Sequence, residues 1–170
     1  EVAGLSPGRA LDVGAGEGGD ALWLAERGWQ VTASDVSPVA LARLAAEAER
    51  RGLHVDRLHV DANATDAFDR ASYDLVSAFY AAIPRTPDNR AVANLLAAVA
   101  PGGVLLVVSH DLAAMRVPID TEVTSRPFDP DAFVRVGDVA VALAGAAGWQ
   151  VEVLETRPRP AGATAASHHV

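Results

Sequence analysis

The residues best able to do chemistry here are acids that close short apolar runs around a glycine-rich turn. Asp12, Asp35 and Asp61 each stand at the end of such a run. Between the first two lie Gly14, Gly16, Gly18 and Gly19. Glycine lets backbone come close to a ligand where a Cβ would clash. A carboxylate beside such a turn can accept hydrogen bonds from hydroxyls or amines, or balance a cation. Asp35 follows Gly14 by 21 residues, the spacing of an acid that binds both hydroxyls of a ribose. The turn carries no basic residue and two acids, Glu17 and Asp20. Pyrophosphate sites favour the opposite charge, so a cationic, adenosine-bearing ligand fits better.

Gly14, Gly16 and Gly19 also match G-x-G-x-x-G, which keeps an NAD(P)-dependent oxidoreductase open. Three features oppose it. Asp12 occupies a position that dinucleotide folds fill with an apolar residue. Glu17 and Asp20 repel phosphate. Trp23 is large for a helix that must pack closely on a sheet.

These residues need a scaffold that brings strand ends together. Arg9 to Val13, Gln30 to Ser34, Val55 to Val60, Tyr73 to Phe79, Val104 to Ser109 and Gln150 to Glu155 read as strands. Helices are expected over Asp20 to Arg27, from Ser37-Pro38 to Arg51, over Asn89 to Val99, and over Gly137 to Ala147. Gly28, Gly52 and Gly148 follow three of them as caps. Leu112 to Val134 reads as an irregular lid or substrate loop. From Arg157 onward the chain reads as a loose tail. Alternating strands and helices predict an α/β fold. Its form is a doubly wound, Rossmann-like, mostly parallel sheet with helices on both faces. Residues 1–170 form one domain on this reading.

Composition narrows the partners. Net charge is −8, and every cation is Arg or His because the chain has no Lys. Nucleic acid is therefore not an expected partner, and a phosphate or Schiff-base lysine is excluded. The chain has no Cys, so no thiolate chemistry is available. No metal site is expected: His54 and His59 lack further ligands, and the adjacent His168 and His169 point apart in extended chain. No run suggests a membrane span, and a cytoplasmic location is the default.

The segments DVGAGEGG, ASDVS, VDANA, YDLVSAF and APGGVLLVV follow one another in order. In this series the chain resembles the class I S-adenosylmethionine-dependent methyltransferases, from about Leu5 to Glu155. The likeness is greatest to small bacterial enzymes of the tellurite and thiopurine type. It implies S-adenosylmethionine as cofactor and a small-molecule acceptor. It implies that Gly14, Ala15 and Gly16 wrap the methionine and ribose. It places Asp35 on the ribose, Val36 on the adenine face, Asp61 and Ala62 at the adenine, and Ser77 and Ala78 near the methionine amine and sulfonium. Asp12, inside the strand end, joins the cofactor-binding candidates because an unpaired carboxylate there is costly, and loop amides or a cationic ligand would resolve that cost. Tyr80, His110 and Asp111 follow strand ends and could face the acceptor, with His110 as a candidate general base.

Two departures from the family pattern accompany the likeness. Little precedes the first strand where relatives carry covering helices. The final antiparallel strand is expected to be truncated or missing, which leaves Gln150 to Glu155 without its usual neighbour. A cofactor-binding module without turnover is the alternative this raises. The acceptor atom, whether N, O, S or C, has no signature in the sequence, and a homodimer is compatible with it.

Overall fold

A computed structural model describes residues 2–110 and 129–158. Five strands form one sheet: β1 (Arg9–Val13), β2 (Gln30–Asp35), β3 (Asp56–His59), β4 (Tyr73–Phe79) and β5 (Val99–Val108). Their order is β3-β2-β1-β4-β5, and every ladder between them is parallel. The chain winds outward from β1 to β3, then crosses back to place β4 on the other side of β1. The change of direction puts the carboxyl ends of β1 and β4 side by side, the place where doubly wound sheets bind ligands.

Helices cover both faces. On one lie α1 (Gly19–Ala25) and α2 (Pro38–Arg51), packed over Ala10, Val31, Ala33 and Leu75. On the other lies α3 (Arg90–Ala98), packed over Leu11, Val13, Val76 and Phe68, with α4 (Val136–Ala144) against α3. Leu44 and Leu95, one on each side, are fully buried. Truncating either to Ala would cost about 2–5 kcal/mol. The strand alternation thus sorts β1 cleanly: Leu11 and Val13 face α3, and Ala10 and Asp12 face α1.

The α2 helix begins as expected. The Ser37 hydroxyl accepts from the Ala40 amide at 3.2 Å, Pro38 follows, and Gly52 ends the helix in the left-handed conformation. Other boundaries moved. β5 starts at Val99, and Pro101 to Gly103, expected as a turn, lie within it. The ladder explains this: Tyr73 pairs with Val99 and Leu75 with Val104, so β5 carries an extra loop of backbone as a bulge. A Cβ at Gly103 would sit 2.9 Å from the Tyr73 carbonyl oxygen, so the bulge requires glycine. α4 stops before Gly145, not at Gly148.

Gln150 to Glu155, expected as a strand, is not one. It joins no ladder among the described residues, and Val151, Val153 and Leu154 stand more than half exposed or at half. Extended chain gains its stability from pairing, and among the described residues no strand lies beside this segment. Residues 112–128 of the expected lid, and Asp111, His168 and His169, lie outside the described residues. The remainder of that loop forms a short 3₁₀ turn, Pro130–Ala132, and a single bridge from Phe133 to Pro84. Among the described residues no helix is long and apolar enough to cross a membrane.

Candidate functional site

The glycine turn is built by hydrogen bonds from the neighbouring strand. The Gly14 and Ala15 amides both donate to the Ser34 carbonyl, at 2.8 and 3.0 Å. Gly14, Gly16 and Gly18 all take positive φ, at 72°, 54° and 91°. Side chains would strain there, and at two of these positions they would also collide. A Cβ on Gly14 would meet the Ala81 methyl at 2.6 Å, and one on Gly18 would meet Leu44 Cγ at 2.6 Å. At Gly16 nothing lies within 4 Å of that position, so its backbone faces open space.

Asp35 holds this turn in place. One carboxylate oxygen accepts the Gly16 amide and the other accepts the Ser37 amide, both at 2.8 Å. One side chain thus joins the glycine turn to the start of α2. Each oxygen keeps a second lone pair free for a ligand hydroxyl. Val36 follows with its side chain 63% exposed, an apolar surface beside an acid. His59 contacts the Val36 carbonyl through Nε2 at 3.0 Å.

Beneath the turn lies Asp12, 3% exposed. Its register partner on β4 is Ser77, whose hydroxyl donates to the Asp12 carboxylate at 2.9 Å. Ser34 donates to the Asp12 carbonyl at 3.3 Å. Burial pushes the Asp12 carboxyl up to about 7, against the Ser77 hydrogen bond; Asp20 and Asp35 add to the rise, and the Ala21 amide opposes it. Partial burial also raises the Asp20 carboxyl. Glu17 is engaged elsewhere, in an ion pair with Arg43 at 2.5 Å. Asp12 and Asp20 are thus the acids of the turn whose carboxyls burial raises.

A cavity of about 530 Å³ opens beside this point. Gly19, Asp20 and Trp23 of α1, Ser77 and Phe79 of β4, and Val108 of β5 line it. Its wall is mainly apolar, with Asp20, Ser77 and Arg157 as polar groups. Arg27 covers the Trp23 ring at 3.6 Å.

The remaining expected residues divide. Asp61 is exposed at the end of β3 and accepts the Asn63 amide at 2.8 Å. Ala62 and Ala78 are buried in the α3-side core, so their side chains do not line the crevice. Tyr80 and His110, far apart in sequence, come together: their ring centroids lie 4.5 Å apart. Tyr80 takes φ of 53°, a strained conformation for an aromatic residue, and is 57% exposed. Asn63 was not anticipated. Its side chain donates to the Pro84 carbonyl at 2.9 Å and accepts the Ala91 amide at 3.1 Å. It ties the loop after β3 to the loop after β4. Its only signal in the sequence was its place two residues after Asp61. Among the described residues no group of three or more His, Cys, Asp or Glu side chains is placed to hold a metal.

The site suits a group that is adenosine-bearing, cationic and free of phosphate. Glycine backbone leaves room at Gly16, an acid faces outward from β2, and a buried acid lies below. S-adenosylmethionine has those properties.

The fold and the glycine turn define a Rossmann-like α/β domain with acids around the turn. The methyltransferase domain family matches residues 10–103, more than half of the chain, and the chain belongs to that family. It is 36% identical over 105 residues to a demethylmenaquinone methyltransferase of Thermus thermophilus, covering 61% of this chain and 47% of that protein. It is 34% identical over 106 residues to a tRNA 5-carboxymethoxyuridine methyltransferase of Escherichia coli, covering 61% and 40%. Among solved structures, an S-adenosylmethionine-dependent methyltransferase of Geobacter sulfurreducens in complex with S-adenosylhomocysteine aligns with a TM-score of 0.52. It shares 27% identity over 61% of this chain and 42% of that one. The structure reported for conversion of a disulfide bond into a thioacetal group during echinomycin biosynthesis aligns with a TM-score of 0.65. That match has 26% identity and covers 89% of this chain and 66% of that one. The chain spans less than half the length of the curated relatives it matches.

Proposed function

We propose that this chain binds S-adenosylmethionine and directs methyl transfer to a small-molecule acceptor. The observation that carries the reading is the Asp35 clamp: a strand-end carboxylate that fixes the glycine turn and keeps lone pairs for a ribose. An acidic crevice supports a cationic donor over a pyrophosphate.

When bound, the donor supplies an activated methyl group; the protein's work is placement. Gly14, Ala15 and Gly16 present backbone to the methionine and ribose. Asp35 accepts from the ribose hydroxyls, Val36 packs on the adenine, and Asp61 accepts from its exocyclic amine. Ser77 stands at the methionine end. Tyr80 and His110 form the acceptor side: the His110 imidazole takes the acceptor's proton, and Tyr80 positions the acceptor and the imidazole.

A small acceptor is favoured over RNA on charge. One relative is named as a tRNA methyltransferase, yet this chain has a net charge of −8 and no lysine. A phosphate backbone needs cationic contacts to offset its charge. The test is calorimetry with S-adenosylhomocysteine and NAD in parallel. Binding of the first alone is expected. Binding of NAD without any response to S-adenosylhomocysteine would overturn the reading. Trials with thiols, phenols and amines, using radiolabelled donor, then identify the acceptor class.

A further inference from the structure

Transfer changes the charge of the donor. The methyl carbon leaves sulfur for the acceptor, the bonding pair stays on sulfur, and the sulfonium becomes a neutral thioether. The acceptor's proton goes to a base or to water. A protein that must take up fresh donor and expel spent donor can use that single charge. Size and shape differ by only one methyl.

The groups around Asp12 suit that task. Strand alternation puts Asp12, Asp35 and Ser77 on the α1 side of three adjacent strands. Asp12 sits 3% exposed beneath the glycine turn. From β4 it faces the Ser77 hydroxyl, from α1 the Asp20 carboxylate and the Ala21 amide, and from β2 the Asp35 carboxylate. Arg157 reaches the same cavity from the far end of the chain, where it pairs with Glu155. The carboxylate thus has one hydroxyl and one amide to support its charge, and two acids that oppose it. An added cation in the crevice would shift that balance toward the ionised form. A neutral ligand would not.

We propose, resting on the donor-site reading above, that Asp12 is a charge gauge, ionised beneath a cationic donor and protonated beneath the spent, neutral one. The device makes discrimination between the two ligands depend on pH. In acid, Asp12 is protonated whatever is bound, and the two ligands differ little. At neutral and alkaline pH the ionised carboxylate favours the sulfonium. Burial has already brought Asp12 to about 7, so the change falls in the physiological range.

The experiment measures the dissociation constants of S-adenosylmethionine and S-adenosylhomocysteine from about pH 5.5 to about 8.5, on this chain and on its Asp12→Asn variant. The ratio of the two constants in the wild type, divided by the ratio in the variant, cancels the ligands' own ionisations. That quotient is expected to rise about tenfold in favour of the cationic ligand as pH increases. A flat quotient with both ligands bound overturns the charge gauge and leaves the donor-site reading standing. Failure of both ligands to bind the wild type at any pH overturns both. If Asp12→Asn does not fold, the wild type is titrated calorimetrically near pH 7 in buffers of different ionisation enthalpy. The cationic ligand is then expected to release more protons than the thioether, and equal release overturns the proposal.

Discussion

Gly14 and Ala81 approach so closely that a Cβ on the glycine would lie 2.6 Å from the alanine methyl. The glycine turn of β1 and the loop leaving β4 are thus seated on each other. The contact also explains the Tyr80 backbone. A left-handed residue there turns the chain so that Ala81 meets Gly14 and the Tyr80 ring stacks near His110. The glycine turn and the proposed acceptor side are therefore one mechanical unit.

Gly14→Ala tests that unit. The variant places a side chain at φ of 72° and forces Ala81 away. The left-handed conformation alone costs about 1–2 kcal/mol. We expect donor affinity to fall about tenfold or more while circular dichroism still reports the α/β fold. Unchanged affinity by calorimetry would show that the contact is unimportant for binding.

Asp35 should show two separable effects. Asp35→Ala removes the acceptor for the Gly16 and Ser37 amides as well as the ribose contact. A loss of donor affinity of about tenfold or more is expected, with hydrogen exchange accelerated at Gly16 and Ser37. Asp35→Asn keeps one carbonyl oxygen and should lie between wild type and Ala in both measurements. Equal exchange rates in all three proteins would mean the clamp does not hold the turn.

The sequence and the structure agree most where a signal is local. Ser37, Pro38 and Gly52 delimit α2, and Asp12, Asp35 and Asp61 stand at or just past the ends of β1, β2 and β3. The folded chain places Asp12, Asp35 and the glycine turn together as the spacing implied. What failed depends on remote backbone. The bulge that pulls Pro101 to Gly103 into β5 is set by the Tyr73 and Asp74 carbonyls. Gln150 to Glu155 has a strand's composition, but pairing is decided by what lies beside it. Ala62 and Ala78 are positions the resemblance assigns to the cofactor, yet both side chains pack into the α3-side core, Ala78 by strand alternation and Ala62 from the turn after β3. The sequence put Tyr80 and His110 after strand ends, but not their ring contact, which forms where Tyr80 takes an irregular φ.

The empty protein should be most stable on the acid side of neutrality as far as Asp12 is concerned. The folded carboxyl is raised to about 7 from 3.8, so the unfolded chain ionises first as pH rises. Stability contributed by neutral Asp12 is present below the unfolded value and declines until pH passes about 7. The ceiling on that decline is about 4 kcal/mol. Asp12→Asn should therefore raise the melting temperature at alkaline pH while weakening donor binding. A variant less stable than wild type at alkaline pH would contradict the burial cost.

Arg85 and Asp138 make the opposite kind of contribution. Their bridge has two contacts at 2.7 Å and joins the loop after β4 to the start of α4. Burial works to raise the Asp138 carboxyl, but hydrogen bonds from Arg85 and the Arg135 amide, with both guanidinium charges, hold it below the ordinary value. Its stabilisation is present above the ordinary aspartate range and is lost as pH falls through the folded value. Arg85→Ala should cost about 1 kcal/mol at neutral pH, and the cost should shrink in strong acid. A pH-independent deficit in denaturant titrations would assign the loss to packing.

Asp12 and Ser77 are separated by 65 residues, and Arg9 and Asp74 are joined by another bond of the same span. That separation governs how the protein acquires its site. A nascent chain that has made β1, its glycine turn, β2 and α2 already holds the glycines and Asp35, but not the strand that supports Asp12. Ordering β4 beside β1 closes a long loop, a step that is slow and late for parallel pairings. Donor recognition should therefore switch on abruptly as β4 inserts during folding. A ligand added to a refolding chain would stabilise only species in which that insertion is complete.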